Sequence, residues 1–461
     1  MSRSEQPAHL PTSLERLAGF SVDCRCGRRH SVEMQGARVA PGARRLVVEW
    51  ARRVGRRLPV CLVDDGRTHE LAGREVGRLL ERDGYRLRHC QLPDGAGGRP
   101  HADEHTLELV ARALADCALA VAVGSGTVND LTKLASFRAG IPYLVVATAP
   151  SMNGYTSAIA AITVSGLKRT VACHQPLAVL ADLELITRAP AELVAAGLGD
   201  LESKPTATAD FRLAGWLRDE YYCPEPERVV LEAEARVAAA AADIGAGDPQ
   251  ALAVLCEALL LSGISMKLAG TSAPASGAEH LISHFWDMTA PGEGRVEGWH
   301  GAQVGVATIV SATLYEKLRQ VDPASIDGER LLRQRPDLAG DEQLRRTHQH
   351  WYQQARMELQ AKTPGNEQLR RELDRLLSGW DELWRFLGDT MRPPERIRSI
   401  LAAGGAPVTV SGLGLDAGHL RAAFLAARQI RSRFTVLDLA AELGLLESLR
   451  DAVLAESGCL R

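Results

Sequence analysis

The sequence predicts an N-terminal doubly wound α/β nucleotide-binding domain followed by an all-helical C-terminal domain. Three observations carry this. Apolar runs short enough for buried strands alternate with amphipathic helical stretches from Arg45 onward. A glycine turn, Gly124-Ser125-Gly126, joins one such run to a helix. From Ala191, just after Pro190, helical patterns dominate to the C-terminus. The expected division is 1–40 as an extension with a short β-hairpin, 41–190 as the nucleotide domain, and 191–461 as a helical metal- and substrate-binding domain.

A chain of 461 residues exceeds one ordinary core, so more than one domain is expected. The formal net charge of −3 gives no electrostatic case for nucleic acid or an anionic membrane as partner, and 5% aromatics argue against a base-stacking surface. No apolar segment is expected to reach the length of a membrane span, and the N-terminus lacks the apolar core of a signal peptide, so a cytoplasmic location is expected. Nine scattered cysteines suit buried thiols better than a disulfide framework.

In chain order, Cys24-Arg25-Cys26-Gly27-Arg28-Arg29-His30 offers half a zinc site. C-x-C is tighter than usual and no second Cys/His pair of suitable spacing lies nearby, so a hairpin turning at Gly27 is expected. Leu46 to Val54 reads as a helix and Pro59 to Val63 as a strand. Asp64 and Asp65 follow, where an acidic residue receives ribose hydroxyls, although Asp-Asp-Gly is also a turn sequence. A helix (69–83), a strand (85–92) and a helix (103–115) lead to the strand Leu119 to Val123. The glycine turn there offers backbone N–H groups and a helix N-terminus to a phosphate. Gly140 and Pro142 end that helix, and the run Tyr143 to Ala147 breaks into a polar loop at Thr148 to Gly154. Ser165-Gly166 marks a turn. The charged stretch 322–392 reads as solvated helix faces anchored by tryptophans.

In the helical half, His280 and His284 are four apart and share a helix face, as metal-binding or simply packed histidines do. His300 follows a glycine-rich loop able to fold it back, and Asp200 lies beyond small residues that permit close approach. One carboxylate and two imidazoles form a three-ligand divalent site, open to zinc, nickel or iron. Apolar helices near Gln250–Met266 and Val304–Thr313 make a homo-oligomer an expectation.

Taken together, VGSGTVNDLTK (123–133), IPYLVVATAPSMNGYTS (141–157), SGLKRT (165–170), AGLGDLESKPTA (196–207), PASGAEHLISHFWDM (274–288), HGAQVGVAT (300–308) and IRSRFTVLDL (430–439) resemble the sn-glycerol-1-phosphate dehydrogenase family. The likeness is to its long bacterial type, within the iron-dependent alcohol dehydrogenase and dehydroquinate synthase-like superfamily. It implies NAD(P)H along Gly124, Ser125, Gly126 and Asp130, with Thr148 and Ser151 on its adenine, ribose and nicotinamide side. It implies Asp200, His280 and His300 on one divalent metal ion, and His284 beside the reacting carbon. Lys168 and Lys204 would meet the substrate phosphate, Lys204 also serving catalysis, and Asn153 would meet the substrate hydroxyls. The implied reaction reduces dihydroxyacetone phosphate, a small phosphorylated ketone, to sn-glycerol 1-phosphate.

Members of that family usually carry an aspartate where this chain has Asn153, and an arginine where it has Ala273; both changes bear on the substrate. The alternatives are the same scaffold acting on another phosphorylated or polyhydroxylated ketone or alcohol, a dehydroquinate synthase-like cyclase with NAD in an internal redox cycle, and a non-catalytic relative.

Overall fold

The computed structural model describes residues 9–333 and 341–460. The N-terminal stretch read for a signal peptide lies outside the described residues over 1–8, as does the charged stretch over 334–340. Ten strands occur among the described residues. They are β1 (Ser21–Asp23), β2 (Arg29–Ser31), β3 (Gly36–Ala40), β4 (Pro59–Asp65), β5 (Arg86–Leu92), β6 (Leu119–Gly124), β7 (Tyr143–Ala147), β8 (Ile159–Val164), β9 (Leu167–Ala172) and β10 (Ala178–Asp182).

Six of them form a sheet in the order β3-β10-β7-β6-β4-β5, parallel at every pairing. β6, β7 and β10 are buried at every position, which explains why β6 and β7 read as unbroken apolar runs rather than alternating ones. Val60, Leu62, Val121, Val123, Leu144, Val146 and Leu180 belong to one core with the helix Val47–Val54. The chain leaves β4 to β5 on one side and returns to β6 on the other, so the carboxyl ends of β4 and β6 form the switch point of the sheet. β8 and β9 make a separate antiparallel hairpin whose turn residues Ser165 and Gly166 both have positive φ, 51° and 77°.

By backbone contacts the chain forms two compact units. The first takes residues up to Leu201, Pro224–Ser272 and Ala403–Gly405; the second takes Glu202–Cys223, Ala273–Ala402 and the chain from Ala406. The helices Pro224–Ala239 and Pro249–Ala269, read in sequence with the helical half, pack by contact in the first unit. One expectation is corrected. Pro249–Ala269, with 21 residues, is long and apolar enough to cross a membrane, but it is largely buried inside the protein, as befits a core helix.

In the second unit the described elements are all helical. Buried Asp210 ties three of its segments together. Oδ1 accepts from the Tyr315 hydroxyl (2.6 Å) and the Val436 amide (2.7 Å), and Oδ2 from the Ala278 amide (2.7 Å).

Candidate active site

In the first unit, β6 ends at Gly124 and the 14-residue helix Gly126–Ala139 begins two residues later. Its N-cap, Ser125, makes no side-chain capping bond, so the serine hydroxyl does not occupy the first-turn amides, an arrangement suited to a phosphate. A Cβ on Gly126 would meet nothing nearer than the Met152 side chain at 3.4 Å, so packing alone does not require glycine there. Asp130 accepts from the Ala161 amide at 2.9 Å and so anchors β8. Thr148 is buried beside Gly124, whose carbonyl accepts its amide at 3.2 Å, and Ser151 is buried in the following loop. Lys168 stands on β9 opposite Thr163.

Asp64 at the end of β4 is fully buried. His69 Nδ1 lies 2.8 Å from its Oδ2 and His89 Nε2 lies 2.7 Å from its Oδ1, and the two rings stack with centroids 4.5 Å apart. Burial raises the Asp64 carboxyl above its ordinary value despite both imidazoles. Asp65 instead caps the next turn, accepting from the amides of Arg67 and Thr68 at 2.9 Å.

The loop after β7 carries Asn153 to Asp200. Asn153 N donates to Asp200 Oδ2 at 3.0 Å and Nδ2 to Oδ1 at 3.2 Å. Buried Lys133 holds this loop from behind, donating to the carbonyls of Gly154 (2.5 Å) and Ile159 (2.9 Å). Two glycines make room for it: a Cβ on Gly197 would stand 1.7 Å from the Pro150 carbonyl, and one on Gly263 2.4 Å from that of Asn153.

In the second unit, the helices Ala278–Thr289 and His300–Arg319 bring His280, His284 and His300 together. Ring centroids are 5.2 Å apart for His280–His300 and for His284–His300, and 6.3 Å for His280–His284. His280 Nδ1 is 2.8 Å from Glu279 Oε1, which also accepts from the Gly277 amide at 2.7 Å. Burial works against the Glu279 charge, but the hydrogen bond with His280 and the backbone amides outweigh it, holding the carboxyl below its ordinary value. His300 Nδ1 is 3.0 Å from Ser283 Oγ, whose single proton goes to Gln303 Oε1 at 2.8 Å. Ser283 therefore accepts from His300. Both histidines keep their proton on Nδ1 and present Nε2 as a lone-pair donor, the tautomer a metal ligand needs. Donor atoms of His284, Asp287 and His300 also lie within 4.8 Å of one another. Lys204 is buried, its Nζ donating to the Ala275 carbonyl at 2.9 Å and to Ser203 Oγ at 3.1 Å. Ala273 opens the short helical turn Ala273–Ala275.

Sequence reasoning did not single out Lys133, His69, His89, Glu279, Ser283 or Asp287. Only Glu279, beside a candidate ligand, carried any signal, and its partnership depends on a backbone turn not visible in the spacing.

The iron-containing alcohol dehydrogenase family profile matches residues 38–190. A Geobacillus stearothermophilus protein named glycerol-1-phosphate dehydrogenase, NAD(P)+, is 31% identical over 438 residues, spanning 94% of this chain and 99% of the relative. One of the same name from Halalkalibacterium halodurans is 36% identical over 323 residues, 70% and 80% of the two chains. The chain belongs to the glycerol-1-phosphate dehydrogenase family. The dehydrogenase is thus an NAD(P)-dependent oxidoreductase within the metal-dependent, iron-containing alcohol dehydrogenase superfamily. Its fold is shared with a probable glycerol dehydrogenase from Sinorhizobium meliloti (TM-score 0.59, 15% identity, 92% and 98% of the two chains) and with glycerol dehydrogenase from Schizosaccharomyces pombe (TM-score 0.57, 15%, 92% and 91%).

Proposed function

We propose that this dehydrogenase reduces dihydroxyacetone phosphate to sn-glycerol 1-phosphate with NAD(P)H, using one divalent ion of zinc, nickel or iron on Asp200, His280 and His300. The observation that carries the reading is the shared tautomer of His280 and His300, each with its Nδ1 proton directed at an oxygen so that the lone pair sits on Nε2. When bound, the nucleotide supplies hydride to the carbonyl carbon and the cation polarises the ketone oxygen as a Lewis acid.

The chain's own residues divide the remaining tasks. Gly124, Ser125 and Gly126 receive the pyrophosphate on backbone amides, with Asp130 at their flank. Asp64, through its two imidazoles, borders the ribose, and Thr148 and Ser151 line the coenzyme's inner side. Lys168 and Lys204 meet the substrate phosphate, and Asn153 its hydroxyls. His284 gives a proton to the ketone oxygen, so that hydride and proton together make the secondary alcohol. The reading is of a cytoplasmic homo-oligomer working on a small molecule, with neither nucleic acid nor membrane as partner.

The test follows oxidation of NAD(P)H with dihydroxyacetone phosphate on protein of measured metal content. Turnover that chelation and His280→Ala both abolish is expected. The bonds from Asn153 to Asp200 favour a second reading, a different phosphorylated or polyhydroxylated ketone, because they occupy the amide of a residue expected at the substrate hydroxyls. Metal-loaded protein that ignores dihydroxyacetone phosphate but reduces another ketone phosphate would establish it.

A further inference from the structure

The N-terminal hairpin carries donors that ketone reduction does not use. β1 and β2 pair antiparallel with Val22 opposite His30, and the turn closes through Cys24 N to Arg28 O (2.9 Å) and Gly27 N to Cys24 O (3.0 Å). Gly27, at φ +81°, lets the chain reverse tightly enough to fold Cys26 back, its Sγ 3.4 Å from His30 Nε2. The C-x-C spacing that argued against a metal is accommodated by this turn.

His30 is 1% exposed, although β1 and β2 are short surface strands. Its Nδ1 lies 2.6 Å from the carbonyl oxygen of Leu268, near the end of the Pro249–Ala269 helix. A carbonyl only accepts, so Nδ1 bears the proton and Nε2, facing Cys26, is the lone-pair nitrogen. One donor atom from each of Cys24, Cys26 and His30 lies within 4.8 Å of the others. Ligands 2.0–2.3 Å from a tetrahedral zinc stand roughly 3.3–3.8 Å apart, close to the Cys26–His30 separation. A buried imidazole fixed through its other nitrogen to a backbone carbonyl is how metal-bound histidines are oriented.

We infer that Cys24, Cys26 and His30 bind a zinc ion that fastens the N-terminal hairpin to the Pro249–Ala269 helix. Two thiolates make this a soft site, so its metal preference differs from that of the nitrogen and oxygen donors Asp200, His280 and His300. The role is structural, since no residue of the hairpin belongs to the proposed catalytic set.

Zinc K-edge X-ray absorption on the purified full-length enzyme, its nitrogen–oxygen site first exchanged to nickel so that only thiolate-bound zinc is read, tests this directly. Two or three sulfurs at about 2.3 Å with histidine nitrogen are expected, a third sulfur meaning that another cysteine completes the tetrahedron. Oxygen and nitrogen ligands only, or at most one sulfur, would overturn it, as would a Cys24–Cys26 disulfide found by mass. In the Cys24→Ser/Cys26→Ser variant, bound zinc should fall by about one equivalent per chain and the thiolate-to-cobalt charge-transfer band of the cobalt-loaded protein should vanish. Equal zinc content in variant and wild type would also overturn it. If the variant does not fold, the absorption measurement on the wild type still decides.

Discussion

Asn153 is bonded twice to Asp200, its backbone N–H to Oδ2 at 3.0 Å and its side-chain amide to Oδ1 at 3.2 Å. An aspartate at 153 would replace a donor with a second carboxylate against a buried one. In metal-stripped protein, Asn153→Asp should therefore cost about 1–3 kcal/mol at pH 8. The crowded carboxyl would have a raised pKa, so the loss is greatest at high pH and shrinks as pH falls toward 5, where one carboxyl takes up a proton. Divalent metal should restore much of the difference by neutralising the pair. Thermal melts with and without metal across this range check it; a deficit independent of both pH and metal would refute the account.

The glycines in this region serve two different ends, and single alanines separate them. Gly197→Ala places a methyl 1.7 Å from the Pro150 carbonyl, so the Asn153 loop must move or the helix must shift, at about 3 kcal/mol or more. Gly126→Ala meets nothing nearer than Met152 at 3.4 Å and should melt within about 1 kcal/mol of wild type. Its methyl instead faces the proposed pyrophosphate, so NAD(P)H affinity, followed by coenzyme fluorescence, should fall about tenfold or more. Unchanged coenzyme binding would remove the phosphate cradle from this turn.

Much of the first unit was legible because its physics is local. A strand buried on both faces must be an apolar run, and β6 and β7 read as such; a left-handed turn wants glycine, and Gly166 supplies one. The Pro249–Ala269 helix was legible as apolar but not as to what it packs against, because a helix apolar on every side points nowhere in particular. The site divides in the same way. Candidate donors showed as residue types at suggestive spacings, whereas His89 reaches Asp64 only through the β4–β5 register that sets Asp64 beside Gln91, and Ser283 reaches His300 only through the packing of two helices.

Glu279 and Ser283 set the tautomers of His280 and His300, so their loss should register in metal binding before it registers in folding. Glu279→Gln retains an oxygen for His280 Nδ1 but removes the charge, and Ser283→Ala leaves His300 Nδ1 without that oxygen. Each should weaken divalent-metal affinity about 10–100-fold. Competition with a calibrated chelator measures this, and variants with wild-type affinity would show that the two partners serve packing alone.

Asp210 gives the second unit a pH dependence of its own. Burial, reinforced by the nearby Glu279 charge, pushes its carboxyl from 3.8 up to about 7 against the opposing bonds from Tyr315, Ala278 and Val436. The folded state thus holds this proton more tightly than the unfolded chain. The stability it contributes is fully present below the unfolded value and is lost as pH rises through about 7, a change of roughly 4 kcal/mol. Asp210→Asn is neutral at every pH and lacks this term, although it leaves an N–H group facing one of the three donors. The melting-temperature advantage of wild type over Asp210→Asn should therefore be largest near pH 5 and narrow steadily toward pH 8. A constant gap between the two proteins over that range would mean that Asp210 is ionised in the native state throughout.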